Sequence, residues 1–208
     1  RLLIMLLFFV LVFAGCTGQN MESSANGDNP LLAEFDTPFQ VPPFDKIEIA
    51  HYLPAMKTAM EEHKKEIEAI VANTEAPTFK NTMEPLLNSG ALLGKVSAVF
   101  YSQSSIKGND EMLAVRAELA PLMSAHGDEI QFNDKLFERV KTVYENRENE
   151  ELNEEQLFLL ESQYKGFVRN GANLDAEQKK EMGKINSELA VLRAKFSSNL
   201  LAENRSFK

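Results

Sequence analysis

Apolar residues recur along most of this chain at alternating intervals of three and four. Met56, Met60, His63, Ile67 and Ile70 step by 4, 3, 4 and 3. Met112, Val115, Leu119, Leu122 and His126 step by 3, 4, 3 and 4. Leu157, Leu160, Tyr164 and Phe167 continue the pattern, as do Met182, Ile185, Leu189, Leu192, Phe196 and Leu200. Between Asn81 and Ser104 a further set is Met83, Leu86, Leu93, Val96 and Phe100, and Leu136, Val140 and Val143 make a shorter one. Each set occupies one face of an α-helix, because residues three and four apart stack on the same side. No stretch alternates with period two over a useful length, so no strands are expected. The pattern predicts an all-α body of antiparallel helices.

Local signals place the helix ends. Asn153 with Gln156, and Asp175 with Gln178, have the spacing of reciprocal caps. Asn170-Gly171 sits where a helix should stop, with glycine able to take the left-handed turn. Glu145 to Glu151 reads as a solvated connector. The last helix begins near Ala176 and is still periodic at Leu200, more than about 35 Å at 1.5 Å per residue. No Gly or Pro closes it before Lys208, so the natural chain is expected to continue.

The N-terminus follows a different pattern. Leu2 to Ala14 is unbroken apolar sequence. As a helix it would span about 20 Å, short of a bilayer core of about 30 Å, but it has the length of a signal-peptide apolar region, preceded by Arg1. It ends in Phe13-Ala14-Gly15-Cys16, which resembles a bacterial lipobox, with cleavage before an acylated Cys16. The alternative is a secretory leader cut elsewhere, with Cys16 incidental. With Arg1 in place of Met and almost no basic region, the leader is expected to be truncated. Thr17 to Pro30 is small and polar, unable to bury enough surface to fold. The organisation expected is a lipoprotein signal peptide at 1–15, a flexible tether at 16–30 and a helical region at 31–208. Pro30, Pro38, Pro42 and Pro43 predict an extended surface run from Asn29 to Phe44. A lipid on Cys16 would hold the body near a membrane of the bacterial cell envelope, on the periplasmic side. Thr17 after the cysteine points to the outer membrane.

Composition narrows the chemistry. Of 208 residues, 44% are apolar and 25% charged, an ordinary globular balance. The net charge of −9, with no basic stripe, argues against nucleic acid as the partner. One cysteine excludes a disulfide scaffold and multi-cysteine metal sites.

Only three histidines are present, His51, His63 and His126. None stands in a His-Glu-x-x-His string, where two imidazoles one turn apart face a zinc ion and Glu polarises water. His63 and His126 lie on apolar seams and are expected to be core histidines bonded to a neighbour. Glu48-x-x-His51 is one half of a di-iron motif, but such a site needs two copies and two further carboxylates. There is no Gly-x-x-x-x-Gly-Lys-Ser/Thr loop and no Gly-x-Ser-x-Gly elbow. The seam methionines read as core filler. No catalytic or metal-ligating residue is assigned in this stretch.

Several segments, in order, carry a family likeness. Asn29-Pro30-Leu31-Leu32 is followed by Pro43-Phe44-Asp45-Lys46-Ile47 and His51-Tyr52-Leu53-Pro54-Ala55. Pro77-Thr78-Phe79-Lys80-Asn81-Thr82 leads to Pro85-Leu86, Ser89-Gly90 and Val96-Ser97-Ala98-Val99-Phe100. Glu155-Gln156, Leu159-Leu160-Glu161 and Phe167-Val168-Arg169-Asn170-Gly171-Ala172 come next, then Leu174, Ile185-Asn186, Glu188-Leu189, Leu192, Phe196 and Asn199. Together these resemble the N-terminal helical region of the thimet-oligopeptidase-like zinc metallopeptidases, in their bacterial peptidyl-dipeptidase and oligopeptidase A branch. The likeness covers nearly all of the body but about the first third of a family member.

The resemblance implies a mostly helical, two-part enzyme with a channel that admits short peptides. It implies zinc that activates water and polarises the scissile carbonyl, held by residues later in the chain than those present here. This stretch would supply channel wall and roof, and alone would be inactive. A monomer is expected. The same helices and anchor would also serve a free-standing α-helical lipoprotein that binds or scaffolds. The two readings part on whether the natural chain stops near Lys208.

Overall fold

The computed structural model describes residues 29–107 and 109–206. The leader, Cys16 and all but the last two residues of the tether lie outside the described residues. Among the described residues seven α-helices run in order: α1 (Ile49–Ala72), α2 (Glu84–Asn88), α3 (Ala91–Lys107), α4 (Asp110–Gln131), α5 (Asp134–Glu145), α6 (Glu154–Arg169) and α7 (Ala176–Ser206). A π-helical turn, Phe79–Met83, leads into α2. The described residues contain no strand, as the periodicity predicts.

Side-chain caps fix where these helices begin. Asn109, Asn133 and Asn153 each accept a hydrogen bond from the backbone N–H three residues on, at 2.9, 3.0 and 2.9 Å. Gln156 and Gln178 return the bond to the backbone of Asn153 and Asp175, so both predicted capping boxes form. Thr78 and Asn81 make a third. Gly171 ends α6 with φ +93°, as its position implied.

Helix α1 is the spine, and its apolar seam serves two cores in succession. Its first half, with Tyr52, Met56 and Met60, packs on Leu93, Val96 and Phe100 of α3 and on Met112 and Leu119 of α4. Its last turns, with Ile67 and Ile70, join Phe79, Met83, Leu136, Val140, Val143, Leu160 and Phe167. The second core carries an aromatic stack: Tyr144 lies on Tyr164 at 4.0 Å, and Phe137 stands between Tyr164 and Phe167. The pairs Tyr52–Phe100 and Met56–Ser97 show α3 antiparallel to α1. Lys57–Glu118 and Lys64–Glu129 show α4 running in the same direction as α1.

Arg139 of α5 closes the second core. It is buried, and its guanidinium donates to the carbonyls of Asn73 and Glu75 and to the side chains of Asn81 and Thr82. A cation just past the C-terminal end of α1 meets the negative end of that helix dipole.

Three expectations are modified. The continuous helix read between Asn81 and Ser104 is broken at Ser89-Gly90. Gly90 takes φ +72°, and a Cβ there would lie 2.9 Å from His63 Cε1. The run from Asn29 is not wholly superficial. Leu31 is fully buried in the first core, and the Asn29 side chain donates to the His51 carbonyl while accepting from Leu31 N–H. Lys95 holds the next turn through the Ala33 carbonyl. From Thr37 onward the segment is largely exposed, with a short 3-10 turn at Pro38–Gln40.

The third change concerns α7. It runs antiparallel to α4, with Lys179 against Asp134 and the Phe132 carbonyl, and Asn186 on Asp128. The residues facing α4 are mostly small or polar: Gly183, Asn186, Ala190 and Ala194. Of the apolar seam read from the sequence, Met182 is half-buried and, with the edge of Leu189, lines the cleft to α4, while Ile185, Leu189, Leu192, Phe196 and Leu200 stay exposed.

Candidate functional site

Two polar constellations stand out. The first lies where the two cores meet. His63 Nδ1 of α1 and His126 Nε2 of α4 are 3.0 Å apart, and His63 Nε2 is 3.2 Å from Ser89 Oγ. Ser89 spends its own proton on the Leu86 carbonyl at 2.8 Å. Its oxygen therefore accepts from His63 Nε2–H. That leaves His63 Nδ1 as a lone pair, which accepts from His126 Nε2–H. The last atom of the chain, His126 Nδ1, is a buried lone pair with no partner among the described residues.

Charges surround the pair without touching it. Lys64 bridges Glu129 at 2.8 Å and Glu61 at 3.4 Å, and Glu66 accepts from Gly90 N–H. Burial holds both imidazoles below the ordinary histidine pKa. Glu66 partly offsets this at His63, while Lys64 and the neighbouring ring reinforce it at His126. Two neutral rings committed to each other and to Ser89 tie helices together. The sequence reading of core histidines bonded to a neighbour holds, and the neighbour is the other histidine.

The second constellation is a cleft of about 460 Å³ between α4 and α7. Asp128, Gln131, Asn170, Met182, Asn186 and Arg193 line it. Asn186 donates to Asp128 at 2.7 Å, and burial raises the Asp128 pKa against that bond. The cleft offers a carboxyl group, three amides and a guanidinium, the groups that orient a peptide backbone. It holds no nucleophile paired with a base. Sequence reading did not single it out, since Asp128 and Gln131 lie more than 50 positions before Met182, Asn186 and Arg193 and share no motif with them.

Glu48-x-x-His51 has a local explanation. His51 Nδ1 accepts from Glu48 N–H at 3.0 Å, so the spacing serves the start of α1. Among the described residues no three His, Cys, Asp or Glu side chains gather in a group that could hold a metal ion. These residues therefore do not fit a zinc centre. Cys16 lies outside the described residues. Among those described, no helix is long and apolar enough to cross a membrane.

Known proteins resemble the chain over most of its length. It is 37% identical over 177 residues to the dipeptidyl carboxypeptidase of Salmonella typhimurium, covering 85% of this chain and 26% of that protein. The dipeptidyl carboxypeptidase of Escherichia coli is 35% identical over 178 residues, again 26% of its length. Oligopeptidase A of Escherichia coli is 27% identical over 173 residues, 25% of its length. The similarity lies in the N-terminal region of these peptidases. The chain thus spans about a quarter of the length of the curated relatives it matches. No protein-family model matches it.

Proposed function

We propose that this chain is the N-terminal helical region of a larger metallopeptidase that hydrolyses short peptides. The observation that carries the reading is the alignment itself: 85% of the chain aligns with a dipeptidyl carboxypeptidase, yet only 26% of that enzyme is matched. A region of packed helices joined by buried polar ties suits a rigid wall that limits what reaches a reactive centre. The centre would be a zinc ion held by residues beyond this stretch, which would activate the attacking water when bound. The polar cleft between α4 and α7 would contribute hydrogen-bonding wall, with no part in bond cleavage. A lipid on Cys16 would anchor the enzyme to the bacterial cell envelope, facing the periplasm, as a monomer.

The test is the full-length gene product, expressed and incubated with short peptides. Release of C-terminal dipeptides, or internal cuts, is expected. A chelator should abolish the activity and zinc restore it, while residues 29–208 alone should show none. Activity untouched by chelation would overturn the zinc assignment. Peptide hydrolysis by residues 29–208 alone would overturn the placement of the centre. Cys16→Ser is expected to move the protein from the membrane fraction to the soluble one.

A further inference from the structure

We propose that His63, His126 and Ser89 form a two-proton latch: the pair of rings holds α4 against α1 while it carries no added proton or one, and releases α4 when it carries two. The latch sits at the seam between the two cores. Met60 of the first core is one turn before His63, and Ile67 of the second is one turn after it. The contact is close. The ring centroids are 5.1 Å apart and the facing nitrogens 3.0 Å, and Gly90 in its left-handed conformation packs directly on the His63 ring. Nothing in the latch depends on the peptidase reading.

The placement of protons gives the two steps. In the neutral pair the hydrogen bonds run in one direction. His126 Nε2–H donates to His63 Nδ1, His63 Nε2–H to Ser89 Oγ, and Ser89 Oγ–H to the Leu86 carbonyl. One lone pair is left over at His126 Nδ1, buried and without a partner among the described residues. A first proton goes there and breaks no bond. Nε2–H still donates to His63, now from a cation, and bonds from charged donors are the stronger kind. A second proton has to go to His63 Nδ1. It sets N–H against N–H and cation against cation across 3.0 Å, so the bond is lost. The rings therefore titrate as one unit in two steps.

The surrounding charges favour the first proton over the second. Glu61 and Lys64 of α1 and Glu129 of α4, with Lys57, line a cavity of about 330 Å³ that His126 also lines. A charge on His126 is eased by Glu129 and Glu61 and opposed by Lys64. Beside His63 is Glu66, whose carboxylate already accepts from Gly90 N–H at 2.6 Å. The turn between α2 and α3 brings the neutral Ser89 and Gly90. Burial holds both rings below the ordinary histidine value of 6.5, so separated rings take up protons more readily than paired ones. The latch is thus closed above pH 6.5 and opens as pH falls below it.

Hydrogen exchange reads the release, because a helix without its packing partner is only marginally stable. The experiment uses the full-length protein at pH 7.5, 6.0 and 5.0, with rates corrected for the intrinsic pH dependence of exchange. Amides of residues 60–67 and 119–131 are compared with those of 154–169 in α6. One histidine that titrates at 6.5 when released raises opening by at most about thirtyfold between pH 7.5 and 5.0, and a second raises it further. A rise above about thirtyfold is expected in α1 and α4, with a smaller one in α6. A rise within the range of one proton, or an equal rise in all three segments, would overturn the latch. His126→Gln separates the pair from other effects of acid. Its amide can donate to His63 Nδ1 or, turned over, accept from a protonated His63. The rise in this variant is expected to fall below about tenfold. A rise as large as in the unsubstituted protein would also overturn the latch. Should the variant fail to fold, the proton count on the unsubstituted protein decides.

Discussion

Helices α4 and α7 are packed together, and their sequences look alike in the one respect that predicts burial. Each has an apolar row at alternating spacings of three and four. In α4 that row is covered: Leu119 is fully buried, Met112 nearly so, and His126 is 5% exposed. In α7 Met182 alone of the row is half-buried; Ile185, Leu189, Leu192, Phe196 and Leu200 are exposed, and the helix turns mainly small residues to its neighbour. Periodicity shows that a helix has an apolar face. It does not show that the face meets anything within the same stretch of chain. Glycine and alanine carry little hydrophobic weight, so a contact built on them is nearly silent in an apolar pattern, although it lets backbones approach closely.

The sharpest way to break this comparison is truncation in the covered row. Leu119→Ala is expected to cost about 2–5 kcal/mol, the usual range for emptying a filled core position. Urea unfolding of residues 29–208 checks it. A loss below about 1 kcal/mol would mean that the α4 seam is no better packed than that of α7.

A smaller effect, about 1–3 kcal/mol, is expected from Gly90→Ala. The substitution forces a Cβ into a φ of +72° and against the His63 ring. Adding His63→Ala should restore part of the loss, because the clash goes and the backbone strain stays. No recovery in the double variant would show that the ring is not what confines Gly90.

The histidine pair adds a pH dependence. Both imidazoles are held below the ordinary value of 6.5 in the folded protein, chiefly by burial. The unfolded chain therefore binds more protons as pH falls past about 6.5, and stability rises with pH in that window. The stabilisation is complete above 6.5 and is lost as pH falls through the lower folded values. Urea midpoints at pH 7.5, 6.0 and 5.0 measure this, and His126→Phe should flatten the slope. An unchanged slope in that variant would remove the pair from the account.

Asn153→Ala should cost about 1 kcal/mol through loss of the α6 cap. The smallest effect belongs to the uncovered row. Leu192→Ala in residues 29–208 is expected to change stability by no more than about 0.5 kcal/mol, as for exposed positions in general. A cost near that of Leu119→Ala would show that α7 buries its seam even without further chain.

Much of the fold was legible in advance. The rows through Met56 and Met60, Met112 and Leu119, and Leu136 and Val140 all lie in cores, because burying them drives helix packing. The capping boxes at Asn153 and Asp175 and the turn at Gly171 form as read, because they depend on neighbours in sequence. The break at Gly90 was missed, although Ser89-Gly90 was in view. The ring that confines Gly90 comes from α1, 27 positions earlier. Arg139 was missed for a like reason, since its acceptors lie more than 55 positions away.

The sequence by itself determined an all-helical body, the faces of its helices and most of their ends. These are local properties, set by spacing and by side chains that reach no further than one turn. Tertiary structure alone decided that one seam on α1 would serve two cores, and that His63 and His126 would meet where those cores join. It alone decided that α7 would present its small face to α4 and its apolar face to water. Each of these pairs residues far apart in the chain, and such a choice turns on the fit of surfaces that no single helix contains.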